Sequence, residues 1–237
     1  MDFEYAEKST VKLIAECASD IAVVEAMLVS TQGITVLAKE HNVESLEGRI
    51  NFLMKNRHGT PFEHTFFKFF IDAPIFVFRE FHRHRIGWSY NEESGRYSQL
   101  RPKFYIPGPA RAIKQVGKPG AYEYVAGTDE ELEDVQAEIR ARSLSAYERY
   151  DMMLHNGVAK EVARMVLPVN IFSSMFASCN ARSLMAFLSL RTKDAAALFP
   201  SFPMREINDV ADELEHHFAE HMPITHEAFS RNGRVCP

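Results

Sequence analysis

The sequence predicts an α+β fold in which residues 1–237 form a single mixed domain, with a central antiparallel-rich sheet and packed helices. The composition, 46% hydrophobic and 25% charged, is typical of a globular chain that can bury a sizeable core. Strand-like and helix-like segments alternate irregularly, without the strict repeat of βαβ units. No internal repeat, low-complexity tract or linker divides the chain.

The first segments alternate between strand and helix patterns. TVKLIAE, residues 10–16, alternates like a strand, and residues 19–30 follow as a helix capped by Ser19. SLEGRINFLMKNRHG repeats apolar residues at the spacing of one helix face. TFFKFFID is rich in β-formers and follows HGTPFEH, which is typical of a turn.

The middle of the chain predicts a short helix, a long loop region and a long helix. Pro74 can occupy the first helical position, so APIFVFREFHRHR is predicted to be a short helix. Glycine and proline make residues 87–127 loop-rich. Thr128 with Glu131 then forms a capping box for a helix to about Asn156.

The last third continues the mixed pattern. AKEVARMV is predicted to be a helix that ends before Pro168, and NIFSSMFASC is predicted to be a strand. NARSLMAFLSLR is predicted to be a helix with Asn180 as its cap, and a final helix is predicted from Pro203 to Met222.

Charge is concentrated in one segment. The chain has a formal net charge of −5, yet residues 79–103 contain six arginine and lysine side chains against three glutamates, a local charge of +3. A compact positive site on an acidic chain favours a small anionic ligand over nucleic acid, which usually meets a broad basic face. An RNA-binding module that uses the same arginines and aromatic residues is the rival interpretation, and it predicts steep salt dependence.

The sequence predicts a cytoplasmic protein that does not interact with membranes. No apolar run approaches the roughly 20 residues of a membrane-spanning helix, and MDFEYAEKS lacks the features of a signal peptide. Cys17, Cys179 and Cys236 are widely spaced and form no CxxC pair, as expected in a reducing compartment.

The positive segment contains candidate phosphate ligands. Arg83, Arg85 and Arg96 carry guanidinium groups that match phosphate oxygens bidentately. Ser94 and Gly95 can add hydroxyl and backbone donors at close approach. A solvated loop whose arginines pair with the three nearby glutamates explains the same composition equally well, so both interpretations stay open.

Other candidate groups have structural alternatives. If residues 74–85 are helical, His82 and His84 point roughly 200° apart and cannot chelate one metal, and no HExxH motif is present. His64, with its neighbours in HGTPFEH, can line a pocket or stabilise a turn. Cys179 can be a nucleophile or a small buried strand residue. The GxSxG, P-loop and GxGxxG fingerprints are all missing from the sequence.

Read together, several segments resemble the flavin-dependent thymidylate synthases. The family hallmark, RHR followed by about seven residues and a serine, stands here as RHRIGWSYNEES, from Arg83 to Ser94. HGTPFEH, APIFV, SGRYS, FYIP, EVARMVLP and NARSLMAFLSLR resemble family segments in family order. The resemblance covers roughly residues 10–191 and the remainder more loosely.

The resemblance implies a reaction, its cofactors and an assembly. It implies methylation of dUMP to dTMP by an FAD enzyme, with methylenetetrahydrofolate as carbon donor and NADPH as reductant. It also implies a homotetramer whose sites combine residues from several subunits. The residues themselves predict neither a metal site nor a nucleic-acid partner.

The resemblance also assigns site residues, position by position. The FAD-binding residues that it implies are Ser30, His58, Thr60, Arg83, His84, Arg85, Glu92, Asn180, Arg182 and Ala186. The dUMP-binding residues that it implies are Glu80, Arg83, Glu92, Glu93, Ser94, Gly95, Arg96, Arg164 and Arg191.

Arg191 is the catalytic residue that the resemblance implies. A guanidinium beside a uracil carbonyl stabilises the negative charge that develops as the ring becomes nucleophilic. No covalent enzyme nucleophile is then required, and Cys179 becomes a structural residue.

The sequence departs from the family pattern in three places. Eight residues separate Arg85 from Ser94, Glu80 stands where the family usually has glutamine, and residues 192–206 diverge. A carboxylate at position 80 would repel a phosphate unless it turns onto a nearby cation, for which Arg79, Arg83 and His84 are the candidates.

Overall fold

The computed structural model describes residues 2–38, 43–118 and 121–237. The strands are β1 (Glu4–Ala6), β2 (Thr10–Cys17), β3 (Phe66–Pro74), β4 (Trp88–Glu92), β5 (Lys103–Tyr105), β6 (Lys114–Lys118), β7 (Ala121–Val125) and β8 (Phe172–Cys179). The α-helices are α1 (Asp20–Gln32), α2 (Val43–Lys55), α3 (Ile75–Phe81), α4 (Asp129–His155), α5 (Lys160–Ala163), α6 (Ala181–Arg191), α7 (Arg205–His221) and α8 (Pro223–Arg231). The 3-10 helices are Gly33–Ala38, Thr60–His64 and Arg164–Val166.

The sheets confirm the α+β class. A four-stranded sheet has the order β2-β3-β8-β4. β6 and β7 form an antiparallel hairpin, and β1 pairs in parallel with β5. Alternate residues of β3, namely Phe67, Phe69, Ile71 and Ala73, are fully buried, which is the period-two pattern of a strand.

The chain divides into two compact units, which are described separately. The first unit consists of Met1–Ser9, Asp72–Arg79 and Glu92–Ser174. The second consists of Thr10–Ile71, Glu80–Asn91 and Met175–Pro237. The assignment of residues 1–237 to one domain stays a prediction.

In the first unit, two tyrosines of α4 hold the segment that follows β4. Tyr147 and Tyr150 lie three residues apart, so both face the same side of the helix, where they are buried. The Tyr147 hydroxyl donates to the Leu100 carbonyl at 2.7 Å, and the Leu100 amide donates to the Tyr150 hydroxyl at 3.2 Å. The predicted capping box of Thr128 and Glu131 begins α4. Residues 94–100 are thereby anchored on a rigid helix.

In the second unit, the amphipathic helix α7 supplies much of the core. Its buried apolar residues recur at helical spacing, at Ile207, Val210, Ala211, Leu214 and Phe218. Ser19 caps α1 as predicted, accepting from the Ala22 amide at 3.1 Å. The buried Asp20 side chain accepts from the Thr225 amide at 2.8 Å, which satisfies a free backbone donor at the start of α8.

The prediction of a helix through residue 85 was wrong. α3 ends at Phe81. After it, the backbone hydrogen bonds join residues three apart instead of four: the Arg83 amide donates to the Glu80 carbonyl and the His84 amide donates to the Phe81 carbonyl. Residues 82–87 therefore form a loop between α3 and β4. The helical geometry expected for His82 and His84 does not apply.

One further prediction needs correction. Residues 87–127, predicted to be loop-rich, contain β4, β5, β6 and β7. β4 and β5 pair with distant strands, whereas β6 and β7 pair with each other in a hairpin. The final predicted helix, from Pro203 to Met222, is confirmed as α7, and α8, which the sequence analysis did not predict, follows from Pro223. Proline cannot continue the backbone hydrogen bonding of α7, and it occupies the first turn of α8 instead.

A buried ion cluster joins α7 to the chain after α8. Arg234 is 6% exposed and donates to Glu215 Oε1 at 2.7 Å and to Oε2 at 2.6 Å. His226 Nε2 lies 2.8 Å from Glu215 Oε1. Burial would raise the pKa of Glu215, but the bonds from His226 and Arg234 outweigh it and lower the pKa to about 2.

The Glu215 cluster predicts loss of stability in acid. A lowered carboxyl pKa stabilises the fold at a pH above the usual value of 4.5, and the contribution is lost as the pH falls towards 2. Between pH 6 and pH 3.5 this carboxyl should account for a decrease of about 1 kcal/mol in the free energy of unfolding. In urea titrations, Glu215→Gln should be less stable than wild type at pH 6 and lose less stability towards pH 3.5. An unchanged pH dependence in the variant, relative to an exposed Glu130→Gln control, would contradict this assignment.

Candidate functional site

The loop of residues 82–87 depends on a glycine at position 87. Gly87 has φ +69°, a conformation that side chains with a Cβ rarely adopt. A Cβ there would lie 2.0 Å from Ser183 Oγ and 3.3 Å from Asn180 Nδ2. The turn therefore sits directly against the N-terminus of α6, at a distance that excludes any side chain.

Trp88 and Asn180 secure the same contact. The Trp88 indole N–H donates to the Ser183 carbonyl at 3.2 Å, and the Trp88 ring packs against Phe81 and Phe187. Asn180 caps α6 as predicted, with its Oδ1 accepting from the Ser183 amide at 2.9 Å. The N-terminus of α6 is therefore capped by Asn180 and also contacts the loop of residues 82–87.

A cavity of about 460 Å³ lies beside this contact in the second unit. It is lined by Arg83, His84, Arg85, Ile86, Trp88, Ser183, Ala186 and Leu190. Arg83 and Arg85 are exposed, and neither guanidinium forms an ion pair with the residues that the structure describes. The cavity combines two available cations with an apolar wall, a combination that suits a ligand with an aromatic ring and a phosphate.

Arg191, at the C-terminal end of α6, is held by Glu80 near the end of α3 and by His84 of the loop that follows. Its Nη1 donates to Glu80 Oε2, and its Nε donates to His84 Nε2 at 2.9 Å. The sequence had indicated Arg79, Arg83 or His84 as the partner of Glu80. In the structure that partner is Arg191. α6 brings residue 191 back to the start of the loop, a placement that the local sequence could not reveal.

This arrangement keeps His84 neutral. Its Nε2 accepts a hydrogen bond from a guanidinium, so in this assignment the ring proton is on Nδ1. Burial, and secondly the positive charge of Arg191, lower the pKa of His84 to about 4. His84 can therefore orient Arg191 without adding a second positive charge.

A second cavity, of about 170 Å³, lies in the first unit. It is lined by Ile75, Arg79, Glu92, Glu93, Gly95, Leu100, Arg164, Leu167, Pro168, Val169 and Ser173. Four of these, Glu92, Glu93, Gly95 and Arg164, are predicted dUMP-binding residues. A Cβ at Gly95 would lie 3.2 Å from a Leu100 methyl and 3.3 Å from Arg164 Cδ, so glycine leaves this wall uncrowded.

Ser94 and Arg96 belong to the adjoining turn but do not line the cavity. Ser94 Oγ accepts from the Arg96 amide at 3.3 Å. The Arg96 side chain pairs with Glu161 at 3.1 Å, and both side chains are more than half exposed. Exposed pairs of this kind contribute little to stability, so an anionic ligand can replace Glu161 at low cost.

Three other predicted residues cluster elsewhere in the second unit. Arg182 lies across Gly59, between His58 and Thr60, and a Cβ at Gly59 would be 2.4 Å from its Nε. Arg182 also donates to the Pro237 carbonyl at 2.7 Å. Ser30 lies exposed on α1, where its hydroxyl donates to the Met27 carbonyl. Neither cavity is lined by Ser30, His58, Thr60 or Arg182, and the ligand roles of these residues stay predictions.

The structure adds lining residues that the sequence analysis did not select. Arg79 and Ser173 contribute to the first unit's cavity, and Trp88, Ser183 and Leu190 contribute to the second unit's cavity. The unusual charge of Arg79, near the end of an apolar helix, was an available signal. Ser173 gave none, because a serine in a β-like run is usually structural.

Cys179 is structural, as the resemblance implied. It is 3% exposed in β8, and burial raises its pKa well above the usual range, so its thiol stays protonated at neutral pH. Within residues 2–38, 43–118 and 121–237, no group of three histidine, cysteine or acidic side chains is arranged to hold a metal ion. Over the same ranges, every helix is too short or too polar to cross a bilayer.

Comparisons with known proteins agree on one family. The family model described as thymidylate synthase complementing protein matches residues 12–224. The flavin-dependent thymidylate synthase of Streptomyces avermitilis is 53% identical over 96% of this chain and 93% of the relative. That of Tropheryma whipplei is 49% identical over 100% of this chain and 98% of the relative. The crystal structure of the UMP/dUMP methylase PolB from Streptomyces cacaoi, bound with 5-Br dUMP, has a TM-score of 0.94 and 45% identity, covering 99% of this chain and 100% of that one.

The bond between His84 and Arg191 predicts an acid-shifted histidine. In NMR titrations the His84 ring should remain neutral at pH 5.5 and protonate with a midpoint near 4. Arg191→Gln removes the neighbouring positive charge, so the midpoint should rise, whereas the exposed control Arg205→Gln should leave it unchanged. A wild-type midpoint near 6.5, or no change in Arg191→Gln, would rule out this contact.

Proposed function

We propose a function from a fixed premise: this chain belongs to the flavin-dependent thymidylate synthase family. The reaction that we assign to it is the FAD-dependent reductive methylation of dUMP to dTMP. Methylenetetrahydrofolate is the proposed carbon donor and NADPH the proposed reductant. The observation that carries the proposal is the loop of residues 82–87, which presents the RHR motif to a cavity on α6.

The second unit's cavity fits a flavin nucleotide. Its guanidinium groups, from Arg83 and Arg85, suit a pyrophosphate, and its apolar wall of Ile86, Trp88 and Leu190 suits an aromatic ring system. Ala186 lines the wall by van der Waals contact. When bound there, FAD supplies hydride transfer, which protein side chains cannot provide.

The first unit's cavity fits a uridine nucleotide. Arg79 and Arg164 supply positive charge for a phosphate, and Leu100, Leu167 and Val169 supply an apolar surface for a pyrimidine ring. Arg96 pairs with Glu161, both side chains are more than half exposed, and Arg96 can turn to the phosphate.

Arg191 is proposed to activate the pyrimidine. Glu80 and His84 hold its guanidinium from two sides and orient it before the substrate arrives. A guanidinium positioned in this way stabilises negative charge on a uracil carbonyl as C5 becomes nucleophilic. Glu80 offsets part of the positive charge, so its carboxylate sets how strongly Arg191 polarises the ring.

We also propose that the protein is a cytoplasmic homotetramer, as the family resemblance implies, with sites that combine residues from several protomers. Large apolar side chains are strongly exposed in the single chain, including Ile34 at 84% and Phe202 at 86%. Contacts between protomers would cover such surface.

The purified protein should bind FAD, show a flavin absorbance spectrum and convert dUMP to dTMP only when methylenetetrahydrofolate and NADPH are both present. Arg191→Ala should retain FAD affinity but lose turnover by about 100-fold or more, because it removes a group that acts on developing charge. UMP should be assayed beside dUMP, because the neighbour from Streptomyces cacaoi is a UMP/dUMP methylase. Arg205→Ala, on the exposed surface of α7, is the matched control and should turn over like wild type.

Two outcomes would count against the proposal. A wild-type protein that cannot be loaded with FAD and forms no methylated nucleotide would exclude the reaction. Unchanged turnover in Arg191→Ala would leave the reaction intact and remove the role of Arg191.

A further inference from the structure

Ser173 carries an unsatisfied hydroxyl in the core of the first unit. The residue lies on β8 and is 1% exposed. Its Oγ has no hydrogen-bond partner among the residues that the structure describes. Among the described residues of the first unit, it is the only buried side-chain nitrogen or oxygen atom without a partner. A buried hydroxyl without a partner is unfavourable, because it has lost its bonds to water.

Neighbouring serines show that this is not a general feature of the unit. Ser174 follows on the opposite face of β8, and its hydroxyl donates to Asp72 Oδ1 at 2.9 Å. Ser143 is also 1% exposed, and its hydroxyl accepts from Asn170 Nδ2 at 3.1 Å. Ser173 therefore differs from the equally buried Ser143 in having no partner among the described residues.

Ser173 is one of the residues that line the first unit's cavity. The charged groups of that cavity are distributed unevenly. Arg79 and Arg164 are exposed, whereas Ser173 is buried, so the cations mark the open side and the hydroxyl marks the enclosed side. A nucleotide bound with its phosphate at the arginines would direct its nucleoside part towards Ser173.

We propose that the Ser173 hydroxyl is a specificity-determining group that hydrogen-bonds to the nucleoside part of the substrate, at a sugar oxygen or a base carbonyl. The inference rests on the proposed function, since it takes a uridine nucleotide as the occupant of this cavity. Binding supplies the partner that the ligand-free protein lacks. The unfavourable state of the free protein is thereby relieved only when the nucleotide is present.

Ser173→Ala tests this inference, with Ser143→Ala as the matched control. In urea unfolding of the ligand-free proteins, Ser173→Ala should be as stable as wild type or more stable, because it removes an unsatisfied group. Ser143→Ala should be less stable, because it removes the acceptor of an existing bond. By isothermal titration calorimetry, Ser173→Ala should bind dUMP about three- to tenfold more weakly, the usual effect of one neutral hydrogen bond. Ser143→Ala should bind dUMP like wild type.

A competition arm with inorganic phosphate separates the two ends of the ligand. The concentration of phosphate that displaces half of the dUMP reports phosphate affinity once the dUMP affinity is known. Ser173→Ala should leave the affinity for phosphate unchanged, whereas Arg164→Ala should weaken the binding of both phosphate and dUMP.

Each failure has its own signature. If wild type does not bind dUMP, the proposed function fails and this inference fails with it. If wild type binds dUMP and Ser173→Ala binds it equally well, only this inference fails. A loss of stability in ligand-free Ser173→Ala as large as that in Ser143→Ala would show that the hydroxyl already has a partner. An equal loss of phosphate affinity would show that it contacts the phosphate.

Discussion

The close contact between Gly87 and the first turn of α6 is the constraint on which the second unit's site depends. A positive φ favours glycine at that position, and a Cβ there would lie 2.0 Å from Ser183 Oγ, so Ser183 or the loop would have to move. α6 then holds the far side of the loop as well, because Arg191 bonds to Glu80 and His84. Eleven helical residues span about 16 Å, so one rigid helix fixes both ends of the segment that carries the RHR motif. The cavity between those ends is preorganised, which reduces the entropy lost when a ligand binds.

The first unit achieves the same end by different means. Tyr147 and Tyr150 bond the Leu100 backbone to α4, and the turn at Ser94 is closed by its own backbone and hydroxyl bonds. The cavity that results is lined by exposed arginines and by Ser173, whose buried hydroxyl has no partner among the described residues. A buried unsatisfied hydroxyl weakens the protein slightly, whereas the exposed cations remain hydrated and can attract an anionic ligand. In this unit, the groups proposed to bind the ligand are the exposed Arg79 and Arg164 and the buried Ser173 hydroxyl.

Local signals in the sequence predicted much of the fold, whereas long-range contacts were beyond them. The Ser19, Thr128 and Asn180 caps were correct, because capping depends on residues within three or four positions. β4 was missed, because its strand character comes from pairing with β8 about 80 residues later in the chain. The partner of Glu80 was wrong for the same reason, since only the course of α6 brings Arg191 to it. Clustered charge identified the loop of residues 82–87, but Ser173 became visible only when its burial and missing partner were known.

Flavin affinity of Gly87→Ala is the measurement that tests this account most directly. A methyl group at position 87 must displace Ser183 or the loop, whereas Gly48→Ala, on α2 with open space around it, disturbs nothing. The account predicts that Gly87→Ala binds FAD at least tenfold more weakly than wild type while its far-ultraviolet circular dichroism remains that of the folded protein. Gly48→Ala should bind FAD like wild type. A folded Gly87→Ala protein with wild-type flavin affinity would contradict the claim that the contact between Gly87 and the first turn of α6 forms the site.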